Sequence, residues 1–139
     1  MFQKIFFECN LNTFTIIFKS IGEAPKFVKS LEDQTVSEGS MITFKCIIRS
    51  NPVPNIQWFH NNRRIRQSKN FLMEYESETG FTSLTVKQIY KDDIGVFKCV
   101  ADNKYGRCES SAKLNVEGKI SQILSLFSID LNLNKNNSK

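Results

Sequence analysis

The stretch Met41-Ile42-Thr43-Phe44-Lys45-Cys46-Ile47-Ile48 decides the fold class. Ile42, Phe44, Cys46 and Ile48 fall on one side of a two-residue period, and Thr43 and Lys45 fall on the other. A strand with one buried face has this pattern, because successive side chains leave the pleat in opposite directions. Outward from it the alternation recurs in Ile56-Gln57-Trp58 and in Ser83-Leu84-Thr85-Val86. It recurs again around Phe97, Cys99 and Ala101, and around Ala112, Leu114 and Val116. Turn chemistry separates these runs. Glu38-Gly39-Ser40, Asn51-Pro52-Val53-Pro54, Glu78-Thr79-Gly80 and Tyr105-Gly106 interrupt the alternation, and Asn61-Asn62 suits a tight hairpin because Asn tolerates positive φ. Short strands spaced by frequent turns predict a two-sheet sandwich or a barrel, and the lack of interleaved helical runs excludes a parallel βαβ sheet.

The whole chain has 139 residues, enough for about one domain. With 40% hydrophobic and 24% charged residues it is too apolar for a disordered chain and too polar for a membrane bundle. The net charge of +5 permits an acidic partner without specifying one. A single histidine, His60, excludes multi-histidine zinc sites and argues against a Ser-His-Asp triad.

The strand pattern occupies residues 25–116. The flanks, 1–24 and 117–139, differ from it and are rich in Phe, Ile, Asn and Lys. The N-terminal flank is expected to be poorly ordered. Its longest apolar run, Phe14 to Phe18, is too short for a signal-peptide core, and no window reaches the length of a membrane-spanning helix. In the C-terminal flank, Ile120, Ile123, Leu124, Phe127 and Leu131 have helical spacing, so that tail is expected to be disordered or a short helix. The A/T-rich codons of these residue types raise the expectation that both flanks are translated non-coding sequence around one exon, the alternative being ordinary tails. A lone domain with such flanks is also expected to be a piece of a longer product.

Trp58 lies 12 residues after Cys46, and Cys99 lies 53 after it. Just before Cys99 stands Asp93-Ile94-Gly95-Val96-Phe97-Lys98-Cys99. These residues resemble the Cys…Trp…Cys spacing and the D-x-G-x-Y-x-C motif of immunoglobulin domains. Pro25-Lys26-Phe27, Val36-Ser37-Glu38-Gly39, Pro52, Pro54 and Ala101-Asp102-Asn103-Lys104-Tyr105-Gly106 narrow the resemblance to the intermediate set (I-set), as in the domains of titin, twitchin, palladin and the myosin-binding proteins. It covers about two thirds of the chain.

The resemblance implies an all-β, two-sheet antiparallel immunoglobulin-like sandwich. It places Trp58, Asp93, Gly95 and Phe97 in structural roles and puts Cys46 opposite Cys99. A disulfide between them would stabilise by about 4 kcal/mol in the loop-entropy account; in a reducing compartment they would stay buried thiols. The motif's tyrosine is Phe97 here, so a backbone hydrogen bond worth about 1 kcal/mol is lost. Asp93 is expected to pair with Lys69. Cys108, near the final strand, is expected to be a free or half-buried thiol. Without a C-x-x-C pair, no zinc site is expected. The sole glycosylation sequon, Asn136-Asn137-Ser138, lies in the tail.

No catalytic constellation or phosphate loop is apparent, so no enzyme activity and no cofactor are expected. Glu74 and Glu76 read as a solvated edge rather than a carboxylate pair, and His60 is expected to face solvent. Two surfaces qualify for binding. Arg63, Arg64, Arg66 and Lys69 would attract acidic protein, actin or anionic lipid, or else protect a sheet edge from aggregation. On the outward face of the sheet holding Trp58 and Cys99, Phe59 and Val100 are expected to stand beside Gln57 and Lys98 as an apolar anchor.

The resemblance implies a protein-interaction and structural module of a cytoplasmic, sarcomeric or cytoskeletal protein. Its partners would be filament proteins or neighbouring immunoglobulin domains, with no nucleic acid, membrane span or small-molecule substrate. The alternative is a fragment of an extracellular or cell-surface adhesion or axon-guidance-type receptor.

Overall fold

The computed structural model describes residues 21–118 and Phe127. Cys9, the N-terminal apolar run, the sequon and the rest of the helically spaced tail lie outside the described residues. Among the described residues, nine strands carry the fold: β1 (Glu23–Lys29), β2 (Gln34–Ser37), β3 (Ile42–Asn51), β4 (Asn55–His60), β5 (Arg63–Arg64), β6 (Phe71–Tyr75), β7 (Phe81–Val86), β8 (Gly95–Asn103) and β9 (Gly106–Glu117). They form a four-stranded sheet in the order β1-β3-β7-β6 and a five-stranded sheet in the order β2-β9-β8-β4-β5.

Alternation becomes burial as expected. In β3, Ile42, Phe44, Cys46 and Ile48 are all buried while Lys45 and Arg49 are exposed. Phe44, Trp58, Leu84, Phe97 and Leu114 meet between the sheets, each 1% exposed or less. At roughly 25 cal/mol per Å2 of apolar surface, such burial is the main favourable contribution to folding. Phe97 stacks on Phe44 with ring centroids 4.8 Å apart.

One pairing departs from the all-antiparallel expectation. β2 runs parallel to β9, from Gln34 opposite Leu114 to Ser37 opposite Glu117. The link Ser30–Asp33 contains no turn, so the chain leaves the first sheet and joins the second without reversing. Leu31 is buried in this link and its amide donates to Ser110 Oγ at 3.0 Å. Asp33 Oδ1 accepts the Lys113 amide at 2.7 Å.

The chain enters and leaves the sandwich at opposite poles. Near its start, Asn103 Nδ2 donates to the Glu23 carbonyl at 2.8 Å and to Ser50 Oγ at 3.0 Å, and Asn51 Nδ2 donates to the Ile21 carbonyl at 2.7 Å. At the far pole the Glu38 amide donates to the Glu117 carbonyl, where β9 ends. No helix among the described residues is long and apolar enough to cross a membrane.

Candidate functional site

The basic strip sits on the edge of the five-stranded sheet, and the hairpin before it explains why. Asn61 and Asn62 adopt φ of 48° and 66°, the left-handed geometry that turns β4 tightly into β5. The Asn61 side chain then clamps the hairpin to β8: its Oδ1 accepts the Val96 amide at 2.9 Å and its Nδ2 donates to the Ile94 carbonyl at 3.4 Å. Gly95 has a φ of 139°, and a Cβ there would lie 2.1 Å from Asn61 Oδ1. This close approach accounts for the glycine in the Asp93–Cys99 motif.

Past the turn, Arg63 pairs with His60 and Arg64 with Phe59. Ile65 is buried and its amide donates to the Trp58 carbonyl at 2.8 Å. That anchor leaves Arg66 and Lys69 on the following loop. Arg63, Arg64, Arg66 and Lys69 are all exposed, and none of them forms an ion pair among the described residues. Lys26 and Arg49 both meet Glu23, and Lys98 and Arg107 both meet Glu109. Beside the strip lies a groove of about 300 Å3 whose walls include Ile56, Ile65 and Met73 together with Arg64 and Arg66. Gln57 and Gln67 complete a mixed lining, and apolar side chains next to guanidinium groups unpaired among the described residues can hold an acidic segment with an apolar anchor, since Arg presents a planar fork that carboxylates match.

The other expected surface does not form as read. Val100 is 1% exposed and offers no anchor. It lies on the central strand β8 between Gln57 and Glu109, and longer neighbours on both sides shield a short side chain. Phe59 is half-buried, and Lys98 Nζ lies 5.5 Å from its ring centroid.

Two smaller expectations change, and a third, the solvated edge at Glu74 and Glu76, holds. His60 faces solvent only in part: it is half-buried and stacks on Phe97, with centroids 4.4 Å apart. Asp93 is not paired with Lys69. It closes a 3-10 turn, Lys91–Asp93, and its Oδ2 accepts the Tyr90 amide at 2.7 Å, so the nearby backbone takes the carboxylate. Glu74 and Glu76 serve separate hydroxyls, those of Ser83 and Thr79.

Cys46 and Cys99 are fully buried free thiols, hydrogen-bonded to each other. That bond, and then burial, pushes the Cys99 thiol far above its ordinary range, while the same bond holds Cys46 below its own. Cys108 is half-buried on β9, and burial raises its thiol too. A thiolate is the reactive form, so Cys99 and Cys108 are poor nucleophiles. Among the described residues no group of His, Cys, Asp and Glu could hold a metal ion.

Sequence reasoning missed the polar clamps of Asn61 and Asn103. An Asn opening a tight turn was the available signal, since its side chain can reach backbone two residues on. Asn103 Oδ1 does accept the Tyr105 amide, at 2.8 Å.

The Immunoglobulin I-set domain model matches residues 25–116. A titin homolog of Caenorhabditis elegans is 32% identical over 121 residues, which is 86% of this chain and 1% of that protein. That alignment is longer than 25–116 and so reaches into at least one flank. Vascular endothelial growth factor receptor 1 of Homo sapiens is 36% identical over 69% of this chain and 7% of its own length. The chain thus spans a small fraction of these relatives. Among solved structures, the titin M10–obscurin-like 1 Ig complex has a chain 21% identical, with a TM-score of 0.65, over 68% of this chain and 95% of that one. It confirms the sandwich fold.

Proposed function

The chain belongs to the immunoglobulin I-set family, and from that premise we propose that it is a non-catalytic interaction and structural module of a larger muscle or cytoskeletal protein. It docks an acidic filament protein along Arg63, Arg64, Arg66 and Lys69. The observation that carries this reading is the basic strip, unpaired among the described residues, beside a groove of mixed apolar and polar lining. Elsewhere Glu23 and Glu109 neutralise the neighbouring cations. Likeness to the titin homolog supports the muscle setting, and the titin–obscurin-like 1 pair supports partners that are themselves proteins. Co-sedimentation of the full chain with actin filaments tests the docking. Binding that falls with salt and disappears in Arg63→Glu/Arg64→Glu/Arg66→Glu supports it; equal sedimentation of both proteins overturns it.

The likeness to the growth factor receptor favours a second reading, a domain of a cell-surface protein. The redox state of Cys46 and Cys99 separates the two. Thiol trapping at lysis followed by non-reducing peptide mapping gives alkylated free thiols for a cytoplasmic module. A linked Cys46–Cys99 peptide places the domain in an oxidising compartment and favours the receptor.

A further inference from the structure

Ser68 stands at the end of Arg63-Arg64-Ile65-Arg66-Gln67-Ser68, with guanidinium groups two, four and five residues before it and Lys69 after it. It is exposed. The segment 66–69 belongs to no strand, and it runs between the buried anchor Ile65 and the first residue of β6, Phe71. Ser68 Oγ accepts the Phe71 amide at 3.1 Å and the Asn70 amide at 3.3 Å. The hydroxyl oxygen therefore already sits where two backbone N–H groups converge, two residues after Arg66 and one before Lys69 in the chain. Converging N–H groups with cations within reach along the chain suit an anion better than a neutral hydroxyl.

We propose that Ser68 is a phosphorylation site for an arginine-directed Ser/Thr protein kinase, and that its phosphate switches off the basic strip. The regulatory half of this proposal rests on the docking reading above. Protein kinases select substrates partly by charge pattern, and this run offers cations to an acidic substrate groove. In the reaction the Ser68 oxygen bonds to the γ-phosphorus of ATP. The bond from that phosphorus to the β–γ bridging oxygen breaks, ADP leaves, and the hydroxyl proton passes to the kinase's base. The product adds between about one and a half and two negative charges at neutral pH. It keeps the acceptor role toward the Asn70 and Phe71 amides, so the turn survives. It also draws Arg66 and Lys69 onto itself and away from a partner.

The test treats the full 139-residue chain with ATP and a set of arginine-directed kinases, and reads intact mass and fragment spectra. The expected result is one phosphoryl group on Ser68, retained in Ser68→Thr and lost in Ser68→Ala. Arg64→Ala/Arg66→Ala should slow the transfer about tenfold, with an unchanged melting curve showing that it is folded. Label on another residue, or none on either the chain or a peptide of residues 62–72, overturns the site. Actin co-sedimentation then reads the switch separately. About tenfold weaker binding of the phosphorylated chain is expected, and unchanged binding overturns the regulation. If the unphosphorylated chain never binds, the docking reading fails and the phosphorylation site stands.

Discussion

The corner where the chain enters the sandwich and the β5 edge both carry basic side chains, yet they treat them in opposite ways. At the corner, Glu23 Oε1 meets Lys26 at 2.6 Å and Arg49 at 3.1 Å, while Asn103 and Asn51 tie down the neighbouring backbone. At the edge, Arg63, Arg64, Arg66 and Lys69 stand exposed and unpaired among the described residues, and uncharged residues such as Asn61, Ile65 and Ser68 make the hydrogen bonds. Charge density along a sequence therefore says little about availability. A cation with a carboxylate beside it has its field cancelled locally, and one without keeps its field for a partner.

The comparison breaks most severely if the clamp under the edge is removed. Asn61→Ala loses the bonds to Val96 and Ile94 and forces a Cβ-branched-free but non-glycine, non-Asn residue into positive φ. A loss of about 2–3 kcal/mol is expected in chemical denaturation, and a loss below the error of the fit would show that the hairpin holds without its clamp. At the corner, Asn103→Ala leaves the Glu23 carbonyl and Ser50 without their donor. It should cost about 1–2 kcal/mol, and a smaller value than for Asn61→Ala sharpens the contrast. Phe97→Tyr adds a hydroxyl beside His60 and Phe44 and is expected to stabilise by about 1 kcal/mol through a restored backbone bond. An unchanged or lower Tm would mean that the hydroxyl finds no acceptor there.

Reversing Arg63, Arg64 and Arg66 to Glu should change stability by no more than about 0.5 kcal/mol, because the side chains are exposed and unpaired. A large drop in Tm would make the strip a structural element. The smallest effect belongs to Glu23. Lys26 and then Arg49 hold its carboxyl below the ordinary value of 4.5. A depressed folded-state pKa contributes stability that is present above 4.5 and lost as pH falls through the folded value. Glu23→Gln should lower stability slightly at neutral pH, by an amount that vanishes in acid, and so flatten the acid limb of a stability-versus-pH curve. An unaltered acid limb would show that solvent screens the pair fully.

The strands and the core were legible because alternation is a local signal: Ile42, Phe44, Cys46 and Ile48 declare their face without help from the rest of the chain. The Asn61-Asn62 hairpin was legible for the same reason, since the residue type sets the backbone geometry. Burial on the outward face was not. Alternation placed Val100 outside, but its cover comes from residues on β4 and β9 that only the register brings alongside. The parallel β2–β9 pairing was also hidden, because strand direction depends on a link whose sequence carries no turn signal. His60 was misjudged because its stacking partner Phe97 lies 37 positions away. Of the candidate site, the cations were visible in sequence, and the groove and the lack of counter-charges among the described residues were not.

The two poles have a consequence for reach. β9 alone runs 12 residues, about 40 Å at strand spacing. It begins beside the corner where the chain arrives and ends where the chain departs. Placed within a longer polypeptide, a unit wired this way adds its long dimension to the contour rather than folding back on it. Partners held at its ends are then set apart by a fixed interval, and the β5 edge faces sideways from that line.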